Sequence, residues 1–551
     1  MAQANLVAGV DFGTDSARVC VWDLDVPACI LTVTRPFKRW AAGAYCVPER
    51  HQFRQHPLDH LEALEEAFLE VSRVLGEASV SALAIDATGS TPAPTDQHGV
   101  PLALLPGHED DPDCMFWLWK DHTASEAADR VTRVLSAHDP DFTTYQGRYS
   151  SEWWWAKILH AATHSPTIRR HAASWVEHSD WLPNLLTGVD DVSQFSRNAC
   201  AAGHKALFNR RLGGMIPEAI LEELDPHLAR VARSYRTPPD PAGTPLGTLT
   251  GEWAGRLRLS PSTVVVAGSL DAHAGAVGAG IVPGTLVKVV GTSTVDMFLT
   301  DYPTIEGHDI RAMCGVAEDS IVPGFLGGEA GQAAFGDLFA WYTRILTWPW
   351  EGVLRDQLEA LLPPEVVDQA LAASRDALLP ALERAASERR PTGIVALDWI
   401  NGRRYPDLDD HASAALLNLR IGHDAVDLYR ALLHAAVAGS RAIFAGLSGA
   451  GAVFERVILV GGVVRNSRLV CQALADGLGT EVMVSKVEEV CAAGSAIYAA
   501  VGHGTYASIP EAQRALCEPY AADFTPTPAG MADVDLAYAK YLTAGGRVDQ
   551  S

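Results

Sequence analysis

The amino-acid sequence predicts an α/β protein built from two related domains that face each other across a cleft. Three observations carry this. Gly9-Val10-Asp11-Phe12-Gly13-Thr14-Asp15-Ser16-Ala17-Arg18 is a glycine turn between two β-branched runs. Val289-Val290-Gly291-Thr292-Ser293-Thr294 repeats that pattern in the other half of the chain. Between and after them, short aliphatic runs alternate with segments of helical period, the order expected of strands crossed by helices.

In chain order, Leu6–Val10 and Val19–Trp22 are the strands flanking the first turn, and His56–Leu75 has apolar residues at helical spacing. Ser81–Ala87 is a buried strand that stops at Thr88-Gly89-Ser90-Thr91-Pro92, where hydroxyls and a helix breaker take over. From about Asp96 to Arg258 the pattern is irregular and rich in Trp, His and Pro, as expected of insertions that shape a pocket. Thr263–Gly268 is an aliphatic strand, followed by Asp271 and a small-residue helix, Ala274–Gly280. The strand pattern restarts at Thr285, after Pro283-Gly284. The expected domains are therefore 1–280 and 281–551, with the junction near Ala279–Gly284. The second half adds helices over about Glu351–Arg390 and Ala425–Gly446. A strand, Arg456–Val460, then ends at Gly461-Gly462, and another small-residue helix follows near Ala492–Val501. The end of the chain reads as a loosely held helix and tail. The shared order of strand, Gly/Thr turn, strand and later helix reads as an ancient duplication.

Composition narrows the class. The 551 residues are 48% hydrophobic and 20% charged, which suits large buried cores. A formal net charge of −24 argues against nucleic acid or an anionic membrane as partner. The nine cysteines form no C-x-x-C pair, which fits reduced thiols in a cytoplasmic protein. Met1-Ala2-Gln3-Ala4-Asn5 has no basic leader character, and no uninterrupted apolar stretch is long enough to span a bilayer.

Each motif has a structural and a functional reading. A D-x-G turn between strands is often only a hairpin. Its glycine also lets backbone N–H groups approach a phosphate, with hydroxyls of Thr14 and Ser16 beside them. Asp11 at the strand end reads as a magnesium holder acting through water, and Arg18 reads either as a neutraliser of phosphate or as a solvated strand residue. Gly291, Thr292 and Ser293 gain weight by pairing with the first turn. Gly461-Gly462 permits flat approach of a base or ribose. Asp271 reads as a helix N-cap and as a general base that takes a proton from a sugar hydroxyl; the two are compatible. His273 reads as a packing residue. By spacing alone, Lys205 and Glu329 are polar residues beside glycine-rich turns, and the tryptophans carry no assigned role.

With D-F-G-T, a strand-end Asp, G-T-S and G-G-x-x-x-N in that order, the chain resembles the actin-like (ribonuclease H-like) ATPases, and around Asp271 the FGGY carbohydrate kinases. Within these it resembles the L-ribulokinase branch over nearly its whole length. The stretches that carry this are Asp86–Pro94, Leu118–Ala124, Ser150–Trp153, Ala202–Lys205, Glu329–Gln332 with Phe335–Asp337, and Leu397–Arg404.

The resemblance implies two actin-like domains with an interdomain cleft, ATP and Mg2+ as cofactors, and a ketopentose substrate. By position, Asp11 would place the magnesium. Gly13, Thr14, Ser16, Arg18, Gly291, Thr292 and Ser293 would meet phosphates, and Gly461, Gly462 and Asn466 would border the adenosine. Asp271 would be the catalytic base. Lys205, Asp271 and Glu329 would bind sugar hydroxyls, with Ala87, Thr88 and Gly89 lining the pocket. The implied reaction is phosphorylation of L-ribulose at O5 in L-arabinose catabolism, with other 2-ketopentoses tolerated, and relatives imply a homodimer. The chain departs from the branch at His411-Ala412-Ser413-Ala414, where a Gly is usual, and at Val437, where a Thr is common. Three alternatives stay open: an FGGY kinase for xylulose, D-ribulose or glycerol, an actin-like ATPase indifferent to sugars, and a non-catalytic sugar sensor.

Overall fold

Leu6–Phe12 (β1) carries only one ionisable residue, Asp11, and all seven residues are buried, as expected of a strand covered on both faces. It continues through the first glycine turn into Ser16–Asp23 (β2) and Ala28–Pro36 (β3), an antiparallel meander. The amphipathic helix Pro57–Leu75 (α1) buries Leu61, Leu64, Phe68 and Val71 on that sheet and leads to Val80–Ala87 (β4). Pro245–Thr248 (β5) and Val264–Val266 (β6) complete six strands in the order β5-β6-β4-β1-β2-β3, in which β1, β4 and β6 run parallel. The computed structural model describes all of the chain except residues 1–4, 77–78, 236, 407, 410, 518–519 and 549–551, so most of the segment behind the leader reading lies outside the described residues.

The second sheet repeats the first. Thr285–Val290 (β7), Thr294–Thr300 (β8), Gly315–Glu318 (β9), Leu326–Ala330 (β10), Arg456–Val460 (β11), Glu481–Val484 (β12) and Ala522–Phe524 (β13) are ordered β9-β10-β8-β7-β11-β12-β13. Again an antiparallel meander, β7-β8-β10, joins parallel neighbours, β7-β11-β12. This is the duplicated α/β architecture expected of the actin-like fold.

Three helices hold the halves together or dock on them. Asp271–Gly278 (α3) and Val490–Gly502 (α5) pack face to face, and α5 also lies on β1. Small residues make this possible: a Cβ on Gly494 would sit 1.8 Å from the Ala274 carbonyl oxygen, and one on Gly9 1.8 Å from that of Ala492. One buried cluster consequently includes Val7 and Val266 from the first sheet, Val287 and Ile458 from the second, and Ala496 between them. Ala425–Gly449 (α4) is long and apolar enough to cross a membrane by length and composition. Here 67% of its apolar window is buried, and it packs among other helices.

Several expectations need correction. The helical stretch expected over about Glu351–Arg390 is broken: Gly336–Pro349 runs through a π turn into Arg355–Glu359, and a new helix starts at Pro364. Pro363-Pro364 explains the break, since proline lacks a donor and is favoured at a helix start. Asp271 is not the N-cap; Leu270 is, and the Asp271 carboxylate accepts from the Ala272 N–H at 2.7 Å. The final helix, Pro528–Val548 (α6), is docked rather than loosely held: Val534, Tyr541 and Ala544 are buried, and the Tyr541 hydroxyl donates to Asp398 at 2.7 Å. Despite the departure at His411–Ala414, Ala415–Leu417 forms a strand paired with Val395–Leu397. Val437 is buried in α4, where it covers Gly477 of the neighbouring helix.

Candidate active site

Parallel strands bring their C-terminal ends to one edge of a sheet, where ligands of open α/β sheets bind. Pairing of β1 with β4 sets Asp11 directly opposite Asp86, and a bridge from Ala87 to Leu270 sets Asp271 beside them. The Thr88 N–H donates to the Phe12 carbonyl at 3.1 Å, so the substrate-loop candidate Ala87-Thr88-Gly89 and the first phosphate turn meet. At Gly89 a Cβ would fall 2.3 Å from the buried Leu270 side chain, which would have to move to admit one. Desolvation raises the Asp11 carboxyl above its ordinary range although Arg18 lies 3.0 Å away. Asp86 is raised well above its own, by burial and then by the Asp11 charge. Asp271 is held up to about 7 by desolvation and then by Asp11, a value suited to a base working near neutrality.

The first turn is closed by the Gly13 N–H donating to Ser16 at 3.1 Å. Gly13 and Thr14 are partly exposed and Ser16 is buried. Trp119 donates to the Thr14 hydroxyl at 3.1 Å, and Arg18 reaches both Asp11 and, at 3.2 Å, Glu489. In the second sheet, Gly291 and Thr292 are exposed and Ser293 partly so. The Thr292 carbonyl accepts from the N–H groups of Phe335 and Asp337 at 2.8 and 3.1 Å, which fixes the turn's backbone. Gly461 has φ +115°, and a Cβ there would sit 2.4 Å from the Val290 carbonyl, so this glycine turn abuts the Gly291 turn. Gly462 starts a short helix that ends at Asn466, and both are exposed.

Lys205 and Glu329 come from different halves and meet. Lys205 caps the short helix Ala199–His204 (called αS below), while Glu329 lies on β10. The Lys205 ammonium is 3.2 and 3.4 Å from the two Glu329 oxygens and 5.3 Å from the Trp153 ring. Burial would raise the Glu329 carboxyl, but the charge and hydrogen bonds of Lys205 hold it well below the carboxylate range. The His273 ring nitrogen Nε2 is 3.1 Å from Glu329, and the His204 and His273 rings are 4.8 Å apart. Both histidines are neutral, pulled down by burial to about 3 and about 4.

The predicted residues thus form two groups. Asp11, Gly13, Thr14, Ser16, Arg18, Ala87, Thr88, Gly89 and Asp271 gather at the first sheet's edge. Gly291, Thr292, Ser293, Gly461, Gly462 and Asn466 gather at the second's, and Lys205 with Glu329 bridges the halves. Sequence reasoning missed Asp86 as a partner of Asp11. The signal was available: Asp86 precedes a Gly/Thr loop at a strand end just as Asp11 does. It also missed Lys157, a lone cation in the apolar helix Trp154–His164. Its buried ammonium donates to the carbonyls of Ser90, Trp117 and Leu118 at 2.8–3.1 Å. Glu177, likewise buried, binds the Ser90 hydroxyl and the Thr91 N–H, so this pair holds the end of the Thr88–Thr91 loop.

Comparison with known proteins places the chain in a family. The model of the FGGY family of carbohydrate kinases, C-terminal domain, matches residues 286–503. A ribulokinase of Vibrio parahaemolyticus is 36% identical over 99% of this chain and 96% of its own length. A ribulokinase of Mycolicibacterium smegmatis is 32% identical over 97% of this chain and 92% of its own. Among solved structures, a xylulose kinase from Rhodospirillum rubrum superposes with a TM-score of 0.80 at 20% identity, covering 99% of each chain, a likeness of fold. With sequence likeness extending over nearly all its length, the chain belongs to the ribulokinase branch of the FGGY carbohydrate kinases and is a sugar kinase that uses ATP.

Proposed function

We propose that the protein transfers the γ-phosphoryl group of ATP to O5 of L-ribulose, giving L-ribulose 5-phosphate and ADP in L-arabinose catabolism, with other 2-ketopentoses as slower substrates. The observation that carries this reading is the convergence of Asp271, raised to about 7, with the Lys205–Glu329 pair beside the Thr88-Gly89 loop. An ionised carboxylate at that place takes the proton of the attacking hydroxyl as the phosphoryl group moves to its oxygen and ADP leaves. Lys205 donates to sugar hydroxyls and Glu329 accepts from them. Residues 1–280 supply the sugar side with Gly13, Thr14, Ser16 and Arg18 toward the phosphates. Residues 281–551 supply Gly291, Thr292 and Ser293, with Gly461, Gly462 and Asn466 bordering the adenosine.

Asp11, with Asp86 beside it, fits Mg2+: both are hard oxygen ligands, and the buried Asp86 Oδ1 has no hydrogen-bond partner. When bound, the ion neutralises phosphate charge as it shifts toward the leaving group. Because Lys205 and Glu329 stand on opposite halves, a sugar held by both favours closure and the exclusion of water.

The test is ADP release with ATP and Mg2+ and, in turn, no sugar, L-ribulose, D-ribulose, L- and D-xylulose, and glycerol. L-Ribulose should give the highest kcat/KM. Preference for another polyol would reassign the substrate, and sugar-independent turnover would sink the kinase mechanism. Asp271→Ala should lower kcat by about 10²–10⁴-fold while ATP still binds; near-normal turnover would remove its role as base.

A further inference from the structure

Behind the Lys205–Glu329 pair lies a group of side chains that the phosphoryl transfer does not use. Cys200 and His204 stand four residues apart on αS, a spacing that puts both on one helix face. His273 reaches them from α3. One sulfur and two ring nitrogens, from Cys200, His204 and His273, lie within 4.8 Å of one another, and the three residues are 2%, 0% and 1% exposed. His204 Nε2 is engaged with the Ser320 hydroxyl at 3.2 Å, but its Nδ1 has no hydrogen-bond partner, nor has His273 Nδ1, and His273 Nε2 faces only the Glu329 carboxylate. Buried polar atoms are seldom left this way, and here they fall in one cluster. The Glu329 carboxylate lies alongside, with Oε1 3.1 Å from His273 Nε2 and Oε2 4.0 Å from His204 Nδ1.

We infer that Cys200, His204 and His273, completed by Glu329, form a site for a thiophilic divalent cation of the Zn2+ class, and that its occupation excludes the sugar. One thiolate, two neutral imidazoles and a carboxylate are a donor set for tetrahedral zinc and a poor one for magnesium. Metal–ligand bonds of about 2.0–2.3 Å place donors about 3.3–3.8 Å apart, so donors lying within 4.8 Å of one another need close by no more than about 1–1.5 Å. Burial pushes the Cys200 thiol up to about 12; binding displaces its proton to solvent, so metal uptake strengthens as pH rises. Entry is from the cleft, where Glu329 retains 13% side-chain exposure. Lys205 is the opposing charge: it already holds Glu329, and a cation there must share the carboxylate with it. The exclusion of sugar rests on the proposed role of Glu329 in sugar binding; the metal site itself does not.

The experiment titrates the full-length protein, without nucleotide, with Co2+ as a spectroscopic probe and then with Zn2+ in competition. A sulfur-to-cobalt charge-transfer band that Zn2+ abolishes at one equivalent is expected. Loss of an outer-shell partner alone costs about 10–100-fold in metal affinity, so Cys200→Ser should weaken binding at least that much and remove the band. Cys200→Ala serves as a second variant, with circular dichroism checking that each is folded. Cys491→Ala, which removes the thiol beside Asp11 and Asp86, should keep the band. No band in the parent protein, or a band that persists in folded Cys200→Ser or follows Cys491, overturns the site. L-Ribulose should suppress the band. If the band depends on Cys200 yet ignores every sugar that is phosphorylated, the metal site stands and the assignment of Glu329 to the sugar falls.

Discussion

Gly461 is a residue whose identity follows from one angle and one distance. At φ +115°, with the Val290 carbonyl 2.4 Å from any added Cβ, only glycine fits without displacing the end of β7. Gly461→Ala should destabilise the protein by about 1–3 kcal/mol and raise the KM for ATP, read from denaturant midpoints and initial rates. Gly462→Ala meets no atom within 4 Å and should leave the denaturant midpoint in place. An unchanged midpoint in Gly461→Ala would show that β7 can shift. At this scale the sequence was informative about residue type. Asp11, Asp271 and the glycine turns announce themselves because each ends an aliphatic run. Asp86 carries the same local signal, but its pairing with Asp11 depends on strand register, and the role of Lys157 depends on which carbonyls a buried ammonium can reach.

At the scale of elements, α3, α5 and β1 approach one another closely. Gly9, Gly278 and Gly494 each leave a carbonyl or amide of a neighbouring element where a Cβ would stand. Gly494→Ala should therefore cost about 1–3 kcal/mol through overpacking, measured by chemical denaturation, although alanine is the better helix former. A stabilised protein would mean that α3 and α5 can separate freely. The sequence identified both helices by their small residues and placed them within a few residues of their true ends. It did not tell that the helix near the chain's end lies on the first strand. That placement is a contact between segments hundreds of residues apart, and no local period encodes it. The broken helix after Gly336 is the opposite case: Pro363-Pro364 marks the restart locally, within a stretch whose Glu/Ala/Leu composition otherwise favours continuous helix.

At the scale of the whole molecule, folding buries neutral histidines that an unfolded chain would protonate in mild acid. His60 is lowered to about 3 and His178 well below its ordinary value, both by burial, and their rings lie 4.0 Å apart under Phe12. A depressed histidine pKa means that the unfolded state binds more protons below about 6.5, so stability present above that pH is lost as pH falls. Each such group contributes about 1.4 kcal/mol to the loss between pH 7.5 and 5.5. His178→Gln should lower stability at pH 7.5 yet shrink the difference between the two pH values by about that amount, read from urea unfolding at each pH. An equal difference in both proteins would show that His178 is protonated in the folded state.

By itself the sequence determined the duplicated α/β plan, the strands that end in glycine turns, the base candidate and the family, because these are written in local period and in short motifs. Tertiary structure alone decided that Asp11 faces Asp86, that Lys205 reaches Glu329 across the halves, that α5 packs on β1, and that Cys200, His204 and His273 share one buried point. Each of these is a meeting of distant segments, fixed by sheet register and by the close approach that glycines permit.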